Sequence, residues 1–273
     1  MSRLTLIEVP YHLGRAHVGL AKGVPLLSEA LARNSSDVVA VDPGPQASNE
    51  IAASMAVIRA LALTVRDVVA LGGFPVVLAG NCNSSLGTVA GLGGGLGVIW
   101  FDAHADFNTP DTTQTGFFDG FGLAMLTGSG WSALRETVEG LSPIPEDHVV
   151  LGGARDIDPG ERERLEASRV RAVDISDLGP ALDDLRTRVE SVYVHVDLDV
   201  LNPAGGHANA LAVEGGPHAD ELGDAIDLIS DRFAIRAAAL TAYEPEYDPE
   251  RAIPAAAQVV FERLSAAANR VAA

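Results

Sequence analysis

The sequence has little cysteine, few basic residues and no long apolar run. Cys82 is the single cysteine among 273 residues, which excludes an intrachain disulfide and is in keeping with the reducing cytoplasm where we expect the protein to reside. No apolar run reaches the ~20 residues that a membrane-spanning helix requires. Glu8 interrupts the apolar stretch that a secretory signal peptide would need near the N-terminus, so we expect no signal peptide.

The charge balance excludes whole classes of partner. Acidic residues outnumber basic residues 37 to 19, and the formal net charge is −18. A surface of this sign repels nucleic acids and anionic membranes, so we expect neither as a partner. Hydrophobic residues make up 47% of the chain and charged residues 21%, a composition that allows a sizeable buried core.

Apolar, strand-like runs alternate with helix-like segments along the whole chain. The predicted strands span 3–9, 37–42, 75–80, 95–102, 147–153, 170–174, 191–197 and 234–243. The predicted helices span 23–34, 47–71, 84–91, 119–127, 159–168, 178–190, 217–231 and 250–272. Because several strands are apolar on both faces, they indicate a parallel sheet covered by helices on both sides. We therefore expect one α/β domain over 1–273 with about eight parallel strands, although the spacing also fits a (β/α)8 barrel.

Two short acidic motifs directly follow predicted strands. One is Asp102-Ala-His104-Ala-Asp106 and the other is Asp197-Leu-Asp199. Carboxylates crowded at strand ends repel one another, and a buried charge without a partner is strongly unfavourable. The simplest explanation is a pair of divalent metal ions. Two ions about 3.5–4 Å apart lower the pKa of a bridging water and supply hydroxide at neutral pH, so the pattern indicates an enzyme.

Two further strand ends carry polar residues of the same kind. The predicted strand 75–80 runs into Gly80-Asn81-Cys82-Asn83, and Glu244 follows the strand that ends at 243. Ligands of open α/β sheets bind outside the carboxyl ends of the strands. Four polar strand ends therefore predict one shared site.

The residues of these motifs and their order along the chain, from Gly80 to Glu244, resemble those of the arginase, or ureohydrolase, family. The signatures are Asp102-Ala-His104-Ala-Asp106-Phe-Asn108-Thr-Pro, Arg155-Asp156-Ile-Asp158-Pro-Gly-Glu161, Asp197-Leu-Asp199-Val-Leu-Asn-Pro203 and Tyr243-Glu244-Pro245. The resemblance implies a three-layer α/β/α fold and a binuclear manganese site with two Mn²⁺. It also implies hydrolysis of a guanidino group through a hydroxide that bridges the two ions.

The resemblance also implies a role for each matching residue. The implied metal ligands are Cys82, Asp102, His104, Asp106, Asp197 and Asp199. Asp102 and Asp197 would bridge the ions, Cys82 and Asp106 would complete one site, and His104 and Asp199 the other. The residues with an implied catalytic role are Asp106, Asp119 and Glu244. The implied substrate contacts are Glu244 to the guanidinium, Asn108 and Thr115 to the α-carboxylate, and Asp158 to the α-ammonium.

Three departures from the family pattern stand out. Cys82 replaces the usual ligand histidine, and it is either a small buried hydrophobic residue or a thiolate ligand that suits a softer metal. Asp119 stands where arginases commonly have a histidine that shuttles protons, and an ordinary aspartic acid is a poor acid at pH 7. Phe117 and Leu211 replace polar residues near the amino acid end of the substrate pocket.

These departures favour a chemically easier substrate than arginine. We expect an amidinohydrolase that converts Nω-hydroxy-L-arginine to L-ornithine and hydroxyurea, similar to the ureohydrolase branch of D-cycloserine biosynthesis. The alternatives are an arginase, a hydrolase of another guanidino amino acid, and a metal-binding pseudoenzyme. Relatives are often trimers or hexamers, so a homo-oligomer is possible, but the composition gives no interface signal.

Overall fold

A parallel sheet of eight strands forms the centre of the computed structural model, which describes residues 3–35, 37–45 and 47–271. Its strands are β1 (Arg3–Val9), β4 (Asp37–Ala40), β5 (Gly73–Ala79), β6 (Gly97–Phe101), β7 (Val149–Gly152), β8 (Arg171–Val173), β9 (Ser191–Asp197) and β10 (Ala234–Thr241). The strand order is β4-β1-β5-β10-β9-β6-β7-β8, and every neighbouring pair is parallel. Because β4 and β8 are open edges, the sheet is not a barrel.

Helices cover both faces of the sheet. The described ranges contain α1 (Gly23–Leu31), α2 (Glu50–Ala70), α3 (Ser85–Leu92), α4 (Gly122–Leu126), α5 (Ser132–Arg135), α6 (Pro159–Ala167), α7 (Leu178–Leu185), α8 (Ala219–Ser230) and α9 (Ala252–Val271). One hydrophobic core joins α1, α7, α8 and α9 to the sheet, and a second joins α2, α3 and α4 to its other face. The expected three-layer α/β/α fold is confirmed.

Strand composition explains why the centre of the sheet is buried. β6 is buried along its whole length, and β5 and β9 are buried except at their first residues. A strand covered on both faces needs apolar side chains at successive positions rather than alternating ones. The near-continuous apolar runs read from the sequence therefore correspond to the innermost strands.

Local signals fix several helix starts. Asn49 caps α2, where its side chain accepts a hydrogen bond of 2.9 Å from the backbone N–H of Ala52. α6 begins at Pro159, a residue that suits the first position of a helix. Asp158 and Glu161 form a capping box, in which the side chain of each accepts a hydrogen bond from the backbone N–H of the other. The predicted helix 250–272 corresponds to α9, and its last predicted residue lies outside the described ranges.

Three short elements of the structure are not predicted from the sequence. A two-stranded hairpin pairs β2 (Tyr11–His12) with β3 (Arg15–Ala16), and α5 has only four residues. Elements of this length are too short to show a hydrophobic period. No helix in the described part of the chain is both long and apolar enough to cross a membrane.

The strand order places the four polar strand ends side by side. β5, β10, β9 and β6 are consecutive neighbours in the sheet, although they are far apart in the sequence. Their carboxyl ends lead into Cys82, Glu244, the Asp197 motif and the Asp102 motif, respectively. Because parallel strands end at the same edge, these segments converge there.

Candidate metal centre

The acidic motifs and Cys82 form two overlapping groups of potential ligand atoms. Atoms of Cys82, Asp102 and Asp106 lie within 4.8 Å of one another. Atoms of Asp102, His104 and Asp199 form a second group with the same spacing. Asp102 belongs to both groups, which is the arrangement that two neighbouring ions with a shared carboxylate require. Asp197 joins the first group through a 2.9 Å hydrogen bond from Cys82 Sγ to its Oδ2.

The backbone at each strand end aims these side chains inward. Cys82 begins a single 3-10 turn after β5. Asp106 has a positive φ of +48°, a conformation that aspartate adopts more readily than most residues. Its carbonyl oxygen accepts hydrogen bonds from Leu123 and Ala124 at the start of α4, which hold this unusual backbone in place. Asp197 Oδ1 accepts the backbone N–H of Asp199 at 2.8 Å.

The centre carries more buried negative charge than its side chains can compensate. Burial and the neighbouring carboxylates raise the pKa of Asp106 and of Asp197 well above the ordinary value. Burial lowers the pKa of His104, but the carboxylates of Asp102 and Asp199 outweigh it and raise the pKa to about 12. His104 Nδ1 lies 3.4 Å from Asp102 Oδ1 and 3.3 Å from Asp199 Oδ2. Such a site favours positive charge.

This donor set fits divalent metal ions. Carboxylate oxygens and one imidazole suit Mn²⁺, and a thiolate suits softer ions such as Zn²⁺. Positive charge placed among the acidic side chains would relieve the mutual repulsion that raises their pKa values. The residues of the second group could hold a hard ion, and those of the first group could hold an ion with one sulfur ligand.

A cleft of about 740 Å³, counting its open mouth, leads from the surface to this cluster. Three of the predicted substrate contacts line it, namely Asn108, Thr115 and Asp158. Asn108 Nδ2 donates a 3.1 Å hydrogen bond to Asp158 Oδ2, so these two side chains orient each other. Phe117 and Leu211 also line the cleft and give it apolar wall surface.

Glu244 is the residue predicted to contact the guanidinium. It follows β10 and is half-buried, but it is not among the residues that line the cleft. Its backbone N–H donates to Ala208 O at 2.8 Å. Burial and the nearby Glu246 raise the pKa of its carboxyl.

Asp119 lines the cleft and is buried, but its carboxylate is already engaged. It accepts hydrogen bonds from the side chain of Asn81 and, at 2.9 Å, from the backbone N–H of Asn83. Burial raises its pKa to about 6, although these hydrogen bonds and one from the Cys82 backbone oppose the rise. Asp119 therefore anchors the turn that carries Cys82.

Sequence reasoning gave no role to two further residues of the site. Glu161 ends a family motif without an implied role, yet it lines the cleft and accepts hydrogen bonds from the backbone N–H groups of Phe107 (2.7 Å) and Asp158 (3.2 Å). Asn209 donates to Asp199 Oδ2 at 3.3 Å and to Ala242 O at 2.8 Å. The capping-box spacing from Asp158 to Glu161 could have revealed the first, whereas no local pattern distinguishes Asn209.

Comparisons with known proteins agree with this geometry. The model of the Arginase family matches residues 4–265. An arginase of Bacillus caldovelox is 30% identical over 278 aligned residues, which cover 91% of this chain and 93% of that protein. An arginase of Bacillus subtilis is 34% identical over 201 residues, covering 69% and 67%.

A solved structure of the Bacillus caldovelox arginase superposes with a TM-score of 0.84 at 27% sequence identity, and the match covers 98% of both chains. The likeness therefore extends over nearly the whole fold and includes the sheet edge that carries the acidic cluster. The chain belongs to the arginase family, whose members are hydrolases that act on guanidino groups at a binuclear metal centre.

Proposed function

We propose that the protein hydrolyses Nω-hydroxy-L-arginine to L-ornithine and hydroxyurea. The observation that carries this proposal is the hydrogen bonding of Asp119, which occupies the position of the proton-shuttling histidine in the arginase pattern. Its carboxylate accepts hydrogen bonds from Asn81 and Asn83 and is buried. A carboxylate held in this way is a poor substitute for a mobile imidazole, so the site suits a substrate that depends less on a proton shuttle.

The chemistry of the substrate supports the same conclusion. In the proposed reaction a water oxygen adds to the guanidino carbon, the bond from that carbon to the ornithine nitrogen breaks, and the departing amine takes up a proton. An N-hydroxyguanidine is less basic than a guanidine, and a larger fraction is therefore neutral and open to attack at pH 7. When bound, a pair of divalent ions supplies the nucleophile at neutral pH and polarises the guanidino group.

The substrate-facing residues suit an amino acid. In the proposed complex Asn108 and Thr115 bind the α-carboxylate, Asp158 binds the α-ammonium, and Glu244 binds the guanidinium. Agmatine has no carboxylate, so it would leave the polar groups of Asn108 and Thr115 without partners. This argument favours a guanidino amino acid over agmatine.

We propose two Mn²⁺ as the resident ions, held by the six potential ligands. His104 and Asp199 would complete one site, Cys82 and Asp106 the other, and Asp102 and Asp197 would serve both. Because thiolate is a softer ligand than carboxylate, the Cys82 side should bind Mn²⁺ more weakly and accept Zn²⁺ or Fe²⁺ more readily. Metal analysis after reconstitution with each ion separately tests this inequality.

A substrate panel on the manganese-reconstituted protein tests the proposed function. We expect a higher kcat/KM for Nω-hydroxy-L-arginine than for L-arginine, with hydroxyurea and urea measured separately, and negligible turnover of agmatine. A strong preference for L-arginine would contradict the proposal and establish the second candidate, an arginase, which the 30% identity to a Bacillus caldovelox arginase favours. Fewer than one bound ion per chain and no turnover of any guanidine would instead indicate a pseudoenzyme.

A further inference from the structure

A fully buried polar network lies directly behind Cys82. Thr241, the last residue of β10, has no exposed surface, and its Oγ1 lies 3.1 Å from Cys82 Sγ. The same hydroxyl lies 3.4 Å from His195 Nε2 and 3.4 Å from the carbonyl oxygen of Val196. A hydroxyl has one proton to donate, which the carbonyl oxygen of Val196 or the sulfur of Cys82 can accept, and lone pairs that can accept a proton from His195.

His195 holds the far side of this hydroxyl. Its ring is fully buried, and Nδ1 lies 2.9 Å from the hydroxyl of Tyr193. Its two ring nitrogens thus face the hydroxyl groups of Tyr193 and Thr241. The ring is therefore a fixed hydrogen-bonding partner for Thr241.

Trp100 extends the network to Asp102, which belongs to both groups of potential ligand atoms. Its ring stacks on His195 with centroids 3.7 Å apart and an angle of 17° between the planes. Trp100 and His195 are register partners on the neighbouring strands β6 and β9, so the sheet itself sets this stack. Trp100 Nε1 donates a 3.0 Å hydrogen bond to Asp102 Oδ2. One buried layer thus contacts both Cys82 and Asp102.

We propose that Thr241 is a positioning residue of the metal centre, which holds the sulfur of Cys82 beside Asp197 and provides it with a hydrogen-bond donor. The inference rests on the proposed role of Cys82 as a metal ligand. A ligating cysteine is a thiolate and can only accept hydrogen bonds. The Thr241 hydroxyl can donate its one proton to the sulfur at 3.1 Å in place of the Val196 carbonyl oxygen at 3.4 Å, and His195 can donate to Thr241 in turn. Residues that orient a metal ligand in this way typically change metal affinity or activity by about 10- to 100-fold when they are substituted.

The test compares Thr241→Val, which keeps the shape but removes the hydroxyl, with Thr241→Ser, which keeps the hydroxyl. Thr5→Val is the matched control, because Thr5 is a buried threonine on β1 of the same sheet. It lies in register with Pro75, near the start of β5, and so away from the carboxyl edge that carries Cys82. Full-length proteins are stripped with a chelator, then titrated anaerobically with Co²⁺. The sulfur-to-cobalt charge-transfer absorbance reports binding at Cys82, and a competing chelator gives the affinity of each ion.

We expect Thr241→Val to lower the affinity for the Co²⁺ ion that produces the sulfur-to-cobalt band by about 10- to 100-fold. We also expect the band to shift or to lose intensity. Thr241→Ser should restore both, and Thr5→Val should match the parent protein. If Thr241→Val fails to fold, Thr241→Ala against Thr241→Ser makes the same comparison. Parent-like affinity and band in the variant without the hydroxyl would overturn the inference.

The outcome is separable from the substrate assignment. A parent protein that binds two Co²⁺ ions without a sulfur band would overturn the role of Cys82, and with it that of Thr241, whatever the substrate. Conversely, a preference for L-arginine would overturn the proposed substrate and leave the spectroscopic comparison unaffected, because the titration contains no substrate.

Discussion

Glu161 should make the stability of the metal-free protein depend on pH in a characteristic direction. Its side chain is 3% exposed and accepts hydrogen bonds from the backbone N–H groups of Phe107 and Asp158. Burial outweighs these hydrogen bonds and raises the pKa of its carboxyl from 4.5 to about 7. In the unfolded chain the same carboxyl titrates near its ordinary value, so the folded state binds the proton more tightly.

The sign and magnitude follow from this difference. A group whose pKa is raised by folding contributes stability that is fully present below pH 4.5 and is lost as the pH rises to about 7. A rise of the pKa from 4.5 to about 7 corresponds to a free energy on the order of 3 kcal/mol. Glu161→Gln cannot ionise, so this contribution should disappear from the pH dependence of its unfolding free energy.

Urea denaturation of the chelator-treated proteins at several pH values between 4.5 and 7.5 measures the effect. The difference in unfolding free energy between the parent and Glu161→Gln should shrink or reverse as the pH rises, because only the parent loses stability at this position. Glu163→Gln is the control, since Glu163 is exposed on the same helix α6. Parallel pH profiles for the parent and Glu161→Gln would refute the argument that burial dominates at Glu161.

Three further substitutions or additions test other parts of the site. Asp119→Asn replaces an acceptor of N–H groups by an amide and should weaken metal binding on the Cys82 side by about 10-fold, measured by competition with a chelator. Arg155→Met removes a guanidinium that donates to five backbone carbonyl oxygens and should lower the unfolding free energy by about 2–4 kcal/mol in urea. Free Mn²⁺ at 100 times its Kd should stabilise the protein by about 2.7 kcal/mol, seen as a higher Tm that Asp197→Asn abolishes.

The sequence predicts the central sheet well because burial dictates its composition. β5 is apolar along nearly its whole length, and β9 departs from this pattern only at Ser191, His195 and Asp197. Near-continuous apolar character of this kind is typical of a strand covered on both faces. All eight predicted strands correspond to strands of the sheet, and the strand predicted over 191–197 has the same bounds as β9 (Ser191–Asp197). Prediction of the site follows from the same logic, since parallel strands bring their carboxyl ends to one edge.

Long-range hydrogen bonds could not be predicted in this way. Arg155 belongs to a recognised motif, but its acceptors include Asp199, Val200 and Val213, which are distant in the sequence. Thr241 lies inside the predicted strand 234–243 with no signal of its own, although its hydroxyl contacts Cys82. Such partners depend on the strand order, and no periodicity of the sequence encodes it.

The two main departures from the arginase pattern form one structural unit. Asp119 accepts the backbone N–H of Asn83 and the side chain of Asn81, the residues that flank Cys82 in the sequence. An imidazole has at most one acceptor nitrogen, so a histidine at position 119 could not receive both hydrogen bonds. The turn that presents the sulfur therefore depends on a carboxylate at position 119. The sulfur also contacts Thr241, so the Cys82 side of the centre is supported from two directions. A histidine introduced at position 82 alone, or at position 119 alone, would therefore lack the hydrogen-bonding partners that the other position now provides.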